Sequence, residues 1–399
     1  MRARREVLAG VGATGLAAVA GCLGGRGVDS GSAREYDWST GGADDRRSRA
    51  IPDGVAPREE ATVDETFEFE AHPVTAAPAV ADSAIVITTG RDVVAFDAET
   101  FERRWSVDPE NRGVSYGGTA TIADGTVYVA GDETFRAIDL KSGAQRWKFG
   151  FEYPFIDHSP TYRARSETVY AAAGEYVRAF DAESGDAVWE RRLFGIVGGS
   201  LAFNYAPSIN LIVPTQGGEL YALDSDGRVR WRRQLPKEIT TTPTLLGSDD
   251  RRGGRRIVVG CLDGHVYCFD TNGNREWRAS AGPFADGPIA IGHGMVFIRS
   301  GSTLYAINAD NGDHEWRVNI GSDHRNPPIL VGDTVYIGGD RLRAIAIGGG
   351  TGVRQYRFGE TRFEHAVDGR VSFVSAAHGS LFVVVHKDEG SAFELQRLS

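Results

Sequence analysis

Six tryptophans, Trp105, Trp147, Trp189, Trp231, Trp277 and Trp316, follow one another at intervals of 42, 42, 42, 46 and 39 residues, and Tyr356 stands 40 residues after the last. A period of this length means a row of like supersecondary units, each burying its apolar face against the next. The residues ahead of each tryptophan recur with it. Ala95-Phe96-Asp97 leads to Trp105, Ala137-Ile138-Asp139 to Trp147 and Ala179-Phe180-Asp181 to Trp189. Ala222-Leu223-Asp224, Cys268-Phe269-Asp270 and Ala306-Ile307-Asn308 take the same place in the next copies. Such a triplet ends a strand on a turn-forming side chain, and the Ser-Gly that follows in the fullest copies supplies a residue with φ > 0. Upstream lie alternating runs such as Val127-Tyr128-Val129 and Ile257-Val258-Val259, the latter followed by Asp263-Gly264. That is the pattern of a strand entering a hairpin. Further upstream a small residue precedes proline: Ala77-Pro78, Ser159-Pro160, Ala206-Pro207, Thr242-Pro243 and Gly287-Pro288.

Each unit therefore reads as a four-stranded antiparallel meander, and no segment sustains a 3.6-residue apolar period. Such units arranged radially make an all-β propeller. Units begin near residues 75, 117, 158, 205, 241, 286, 326 and 370, which predicts eight blades. The last stops after three strands, at Phe393-Glu394-Leu395. The otherwise unpaired Thr66-Phe67-Glu68-Phe69-Glu70 is expected to complete it, joining the two ends of the chain and removing open edges. A monomer is expected. The 51 glycines among 399 residues suit so many turns, and three cysteines exclude a disulfide-stapled scaffold. A formal charge of −10 argues against nucleic acid as a partner.

The amino terminus reads as an address. Arg4-Arg5 precedes a weakly apolar run over 7–20, which ends Val19-Ala20-Gly21-Cys22. The arginine pair resembles a twin-arginine export signal, and the ending resembles a lipobox, with the Cys22 thiol as lipid acceptor. The expected organisation is a signal peptide over 1–21, a flexible tether over 22–64 and the propeller over 65–399. The stretch from Tyr36 to Gly42, with Trp38, is the part of the tether expected to be able to fold back. The expected location is outside the cytoplasm, anchored to the cytoplasmic membrane through lipidated Cys22. Among 44 basic residues only Lys141, Lys148, Lys237 and Lys387 are lysines. Acidic excess with little lysine suits a salt-loving source of the haloarchaeal type.

The repeat Ala-x-Asp-x-x-Ser/Thr-Gly-x-x-x-Trp resembles the PQQ-type propeller repeat of quinoprotein dehydrogenases, which the non-enzymatic outer-membrane assembly factor BamB shares. The resemblance covers residues 66–399. In the enzymes it implies a quinone bound with Ca²⁺ over the central channel, held by carboxylates. No such carboxylate set, no catalytic residue and no metal site stands out here. The nine histidines are scattered without metal-ligand spacing. Cys261 and Cys268 flank the Asp263-Gly264 turn, which sets 261 opposite 266 and 268 opposite 259, misaligned for a disulfide. The expected function is therefore a non-catalytic, surface-anchored scaffold that binds an unknown protein or small ligand at its channel face, with no cofactor. The alternative is a membrane-tethered PQQ-dependent dehydrogenase carrying the quinone and Ca²⁺.

The fold says where binding belongs. Residues just ahead of each innermost strand should ring the channel mouth: Tyr116, Asp157, His158, Asn204, Tyr205, Asp286, Arg325, Asn326 and Arg370 are the polar and aromatic ones. The apolar stretch 193–204, with Phe194 and Ile196, is expected to form a partner patch or a lid.

Overall fold

A computed structural model describes residues 36–69, 73–108, 116–131, 133–151, 158–205, 211–246, 255–283, 285, 287–321, 326–352, 357–387 and 392–399. Arg4, Arg5 and Cys22 lie outside them. The described strands form eight sheets, seven of four strands and one of five. In chain order the blades span 79–107, 121–150, 161–192, 202–234, 244–280, 290–319, 329–366 and 370–398. The innermost strands, such as Ala79–Ala81 and Ala290–Gly292, are wholly buried. The outermost, such as Arg103–Val107, bury the tryptophan and expose its flanking arginines.

The repeat signature is a lock between neighbouring blades. Each tryptophan pairs across its sheet with a small residue, Trp105 with Ala95, Trp189 with Ala179 and Trp277 with Cys268, which leaves room for the indole. The indole N–H then donates to a turn carbonyl of the following blade. Trp105 reaches Leu140 at 2.8 Å, Trp147 reaches Ala182 at 3.0 Å and Trp189 reaches Ser225 at 2.8 Å. Trp231, Trp277 and Trp316 reach Thr271, Ala309 and Ile347 in the same way. The turn glycine lies flat on the ring. A Cβ on Gly185, whose φ is +76°, would sit 2.5 Å from Trp147. In the seventh blade the residue opposite Ala344 is Phe363, so Phe363 takes the tryptophan position expected of Tyr356, which is outside the described residues.

The ring closes as expected, with the amino-terminal strand outermost in the last blade. Val63–Phe69 runs antiparallel to Phe393–Leu398, with Phe67 opposite Leu395. Thr62 and Ser399 exchange two backbone hydrogen bonds, of 2.9 and 3.0 Å. Phe67 packs against Phe96 of the first blade at a tilt of 60°, ring centroids 4.5 Å apart. Where other junctions use an indole N–H, Arg397 donates to the carbonyls of Ala98 and Glu99 at 2.9 and 2.8 Å.

Two expectations need correcting. The innermost strand of the fourth blade is Ala202–Phe203, inside the stretch expected to be a loop or lid. Its slot ahead of the strand is Gly199-Ser200-Leu201, which has no proline, so Ala206-Pro207 marked the wrong place. Leu201 and Phe203 are buried, whereas Phe194 and Ile196 are exposed. The second correction concerns the tether. Residues 36–51 are built into the propeller axis, well beyond the Tyr36–Gly42 stretch expected to fold back, and Trp38 is fully buried.

Candidate functional site

The axial segment contacts every blade. His378 N–H donates to the Tyr36 carbonyl, and Trp38 and Val80 exchange backbone bonds of 2.7 and 2.8 Å. The carbonyls of Ser39, Asp45, Arg46, Ser48 and Arg49 accept from Ile122, Phe203, Leu245, Ile291 and Leu330, each on the innermost strand of a different blade. The third blade is reached by the Arg47 side chain. An innermost strand of a propeller has one unpaired edge facing the axis, so a segment laid along the axis can satisfy it. Trp38 runs antiparallel to the first innermost strand, whereas Ala50–Ile51 runs parallel to Ile329–Val331. The segment thus enters and leaves by the face where innermost strands end. The channel is corked from that exit face.

On the opposite, entry face a funnel of about 230 Å³ remains above the cork. Its wall comes from residues that precede or open the innermost strands: Ala77, Thr119, Ser159, Ser200, Thr242, Pro288, Pro327 and Phe373, one from each blade. Its floor is Gly41, Gly42, Arg47 and Arg49. Gly41 is required by close approach, since a Cβ there would lie 2.6 Å from Ser159 Oγ. Arg47 is 2% exposed and donates to the carbonyls of Leu201, Ser159 and Pro160 and to the hydroxyls of Thr40 and Thr161. Arg49 is 4% exposed and donates to the carbonyls of Pro328 and Gly41. All of these acceptors are neutral. Burial pushes both guanidiniums below the usual arginine range; Asp45 and Asp44 offset this for Arg47, while Arg47 adds to it for Arg49. An arginine keeps its proton regardless, so the direction marks two buried charges, of which Arg47 is partly compensated by Asp44 and Asp45. The Tyr205 hydroxyl donates to Asp45, whose carboxyl is pushed up to about 6, chiefly by burial.

The residues expected at the channel mouth divide. Asn326 and Arg370 come together in a second, more open cavity of about 460 Å³ with Val74, Val371 and Phe393, beside the funnel and sharing Phe373 with it. Tyr116 and His158 are buried behind the funnel wall. The Tyr116 carbonyl accepts from Thr75, and His158 Nε2 lies 3.2 Å from the Val197 carbonyl. Asn204 and Tyr205 follow the end of their innermost strand rather than preceding it, so they sit at the exit end, where Arg255 donates to Asn204 at 3.3 Å. The misplaced proline slot caused that error. Asp157, Asp286 and Arg325 lie outside the described residues. Cys261 and Cys268 are buried free thiols, opposite His265 and Val258, each one residue from the expected register. The floor arginines were missed because 36–52 carries no apolar period. The usable signal was one tryptophan followed by Arg46-Arg47-Ser48-Arg49.

Against known proteins, the family model described as "Outer membrane protein assembly factor BamB", a PQQ-type repeat model, matches residues 54–193, 173–252 and 262–397. The chain belongs to this family. Two curated relatives carry that description. One, from Bordetella pertussis, is 30% identical over 125 residues, 30% of this chain and 31% of its own length. The other, from Nitrosomonas eutropha, is 33% identical over 103 residues, 25% of each. The aligned stretches thus span a third or less of these relatives. Among solved structures, a europium-containing methanol dehydrogenase superposes with a TM-score of 0.76 at 11% identity, covering 91% of this chain and 98% of that one. BamB from Moraxella catarrhalis gives 0.63 at 14% identity, covering 84% and 97%. At these identities the likeness is one of fold. The described funnel lining contributes no carboxylate or imidazole, and the described residues hold no cluster of three His, Cys, Asp or Glu suited to a metal. A quinone–Ca²⁺ pair does not fit this lining.

Proposed function

We propose that this chain is a non-catalytic PQQ-type propeller acting as a binding scaffold outside the cytoplasm, through its entry face. The observation that carries the reading is the cork. The axis, where a quinoprotein would seat its cofactor, is filled by the chain's own residues 38–51, leaving a funnel of hydroxyls, small residues and two arginines. Concave polar surfaces of this kind bind; they supply no general base or redox group. The assembly role named for the relatives is not carried over.

The cork also orients the anchor. Tyr36 meets the propeller at His378, at the exit-face end of an innermost strand. Lipidated at Cys22, the chain would span at most about 50 Å to that point. The exit face then lies toward the membrane, and the funnel and the Asn326–Arg370 cavity face outward. The test is a dye-reduction assay on the purified mature chain with the quinone, Ca²⁺ and a panel of alcohols. The scaffold reading expects no turnover above that of a heat-denatured sample. Saturable turnover with stoichiometric quinone overturns it in favour of the dehydrogenase.

A further inference from the structure

Polar groups are left over at Arg49, which lines the funnel floor, and at Trp38, which is fully buried outside that lining. Arg49 Nη2 is buried without a hydrogen-bond partner, and so is Trp38 Nε1. Both are donors. They are also neighbours, because the Arg49 guanidinium lies over the Trp38 indole, 5.8 Å from the ring centroid. Buried donors in a folded protein are almost always paired, so two orphans side by side ask for an acceptor. Charge points the same way. Arg47 and Arg49 bring two positive charges to one buried floor; their hydrogen-bond acceptors are neutral oxygens, and Asp44 and Asp45 offset only the charge of Arg47. The next polar layer up, Thr119 and Ser159, adds hydroxyls around the same axis.

We propose that the axial funnel binds a compact oxyanion, the phosphate or carboxylate group of a small ligand, seated on the floor arginines Arg49 and Arg47. The proposal rests on the reading of the entry face as a binding face and names the ligand chemistry that face takes. A guanidinium presents its N–H groups in a planar fork that matches carboxylate and phosphate oxygens. The Trp38 ring, outside the lining, packs against the Arg49 guanidinium. A funnel of about 230 Å³ admits such a group with a few attached atoms and excludes a folded partner. The cork thus doubles as the recognition element. The segment that seals the axis also carries the charge that reads the ligand.

The experiment is isothermal titration of the purified mature chain with sodium phosphate, citrate and acetate in separate arms, with sodium chloride at matched ionic strength as the control. At least one oxyanion is expected to bind saturably, near one per chain, and chloride is not. The arm that binds distinguishes phosphate from carboxylate. Arg49→Met, which keeps the apolar stem, should weaken binding at least ten-fold. Arg228→Met, on an exposed turn of the outer rim, should leave binding unchanged. Should Arg49→Met fail to fold, Arg49→Lys tests the fork instead, and weakened binding is again expected. Absence of saturable binding in all three arms, or binding by the Arg49 variant equal to that of the wild type, overturns the proposal. Either result leaves the scaffold reading standing, since only quinone turnover contradicts that.

Discussion

Gly185 and Trp147 show how little sequence is needed to join two blades. The turn of Asp181 to Gly185 gives the tryptophan of the preceding blade, Trp147, a carbonyl to bond and a glycine to lie on, because any side chain at Gly185 would stand in the ring. Strain and clash can be separated. Gly294 has nearly the same φ, +72°, but a Cβ there would meet nothing within 4 Å. Gly294→Ala should cost only the left-handed backbone penalty, about 1 kcal/mol. Gly185→Ala should add a clash against a closely packed ring, for a total of about 2–4 kcal/mol. Urea unfolding of the two variants measures the difference, and equal losses would mean that the glycine–indole contact contributes nothing. This layer was legible in the sequence because the same pairing recurs: Ala or Cys opposite the tryptophan, Asp or Asn opening the turn and Gly closing it. It failed where the signature degenerated, as at Phe363, which carries no indole N–H.

The cork is the element that the sequence hid. A strand or helix announces itself by periodic burial, but residues 38–51 bury themselves through backbone bonds to six different blades, which imposes no period. The same cause misplaced the fourth blade. Its innermost strand is Ala202–Phe203, too short to outweigh a nearby proline. The cork predicts a pH dependence. Asp45 is pushed up from 3.8 to about 6, chiefly by burial, so between those values the folded chain holds a proton that the unfolded chain releases. Stability therefore falls as pH rises through about 4 to 6. Asp45→Asn should match the wild type near pH 4 and exceed it near pH 7. The full shift is discounted to about 1–2 kcal/mol because the side chain keeps some contact with solvent. Melting temperatures of the two proteins across pH 4–8 check this. A wild-type curve that stays above the variant at pH 7 would show the carboxylate to be stabilising there.

At the scale of the molecule, the two halves of the amino-terminal segment do opposite jobs. Val63–Phe69 closes the ring from outside, and 38–51 fills it from inside. Closure was foreseeable, since a last blade with three strands and a spare Phe-rich strand leave one arrangement without open edges. The filled axis was not, and it is what makes the entry face a shallow funnel. Everything said of that face depends on the segment being a permanent part of the fold. Hydrogen exchange of the mature chain, followed by mass spectrometry, reads this directly, because amides bonded within a cooperative core exchange only through large openings. Peptides covering Trp38 and Arg46–Ile51 should be protected on the same timescale as innermost strands such as Ala290–Gly292. Exchange of those peptides within seconds, while the blades stay protected, would contradict the corked ring.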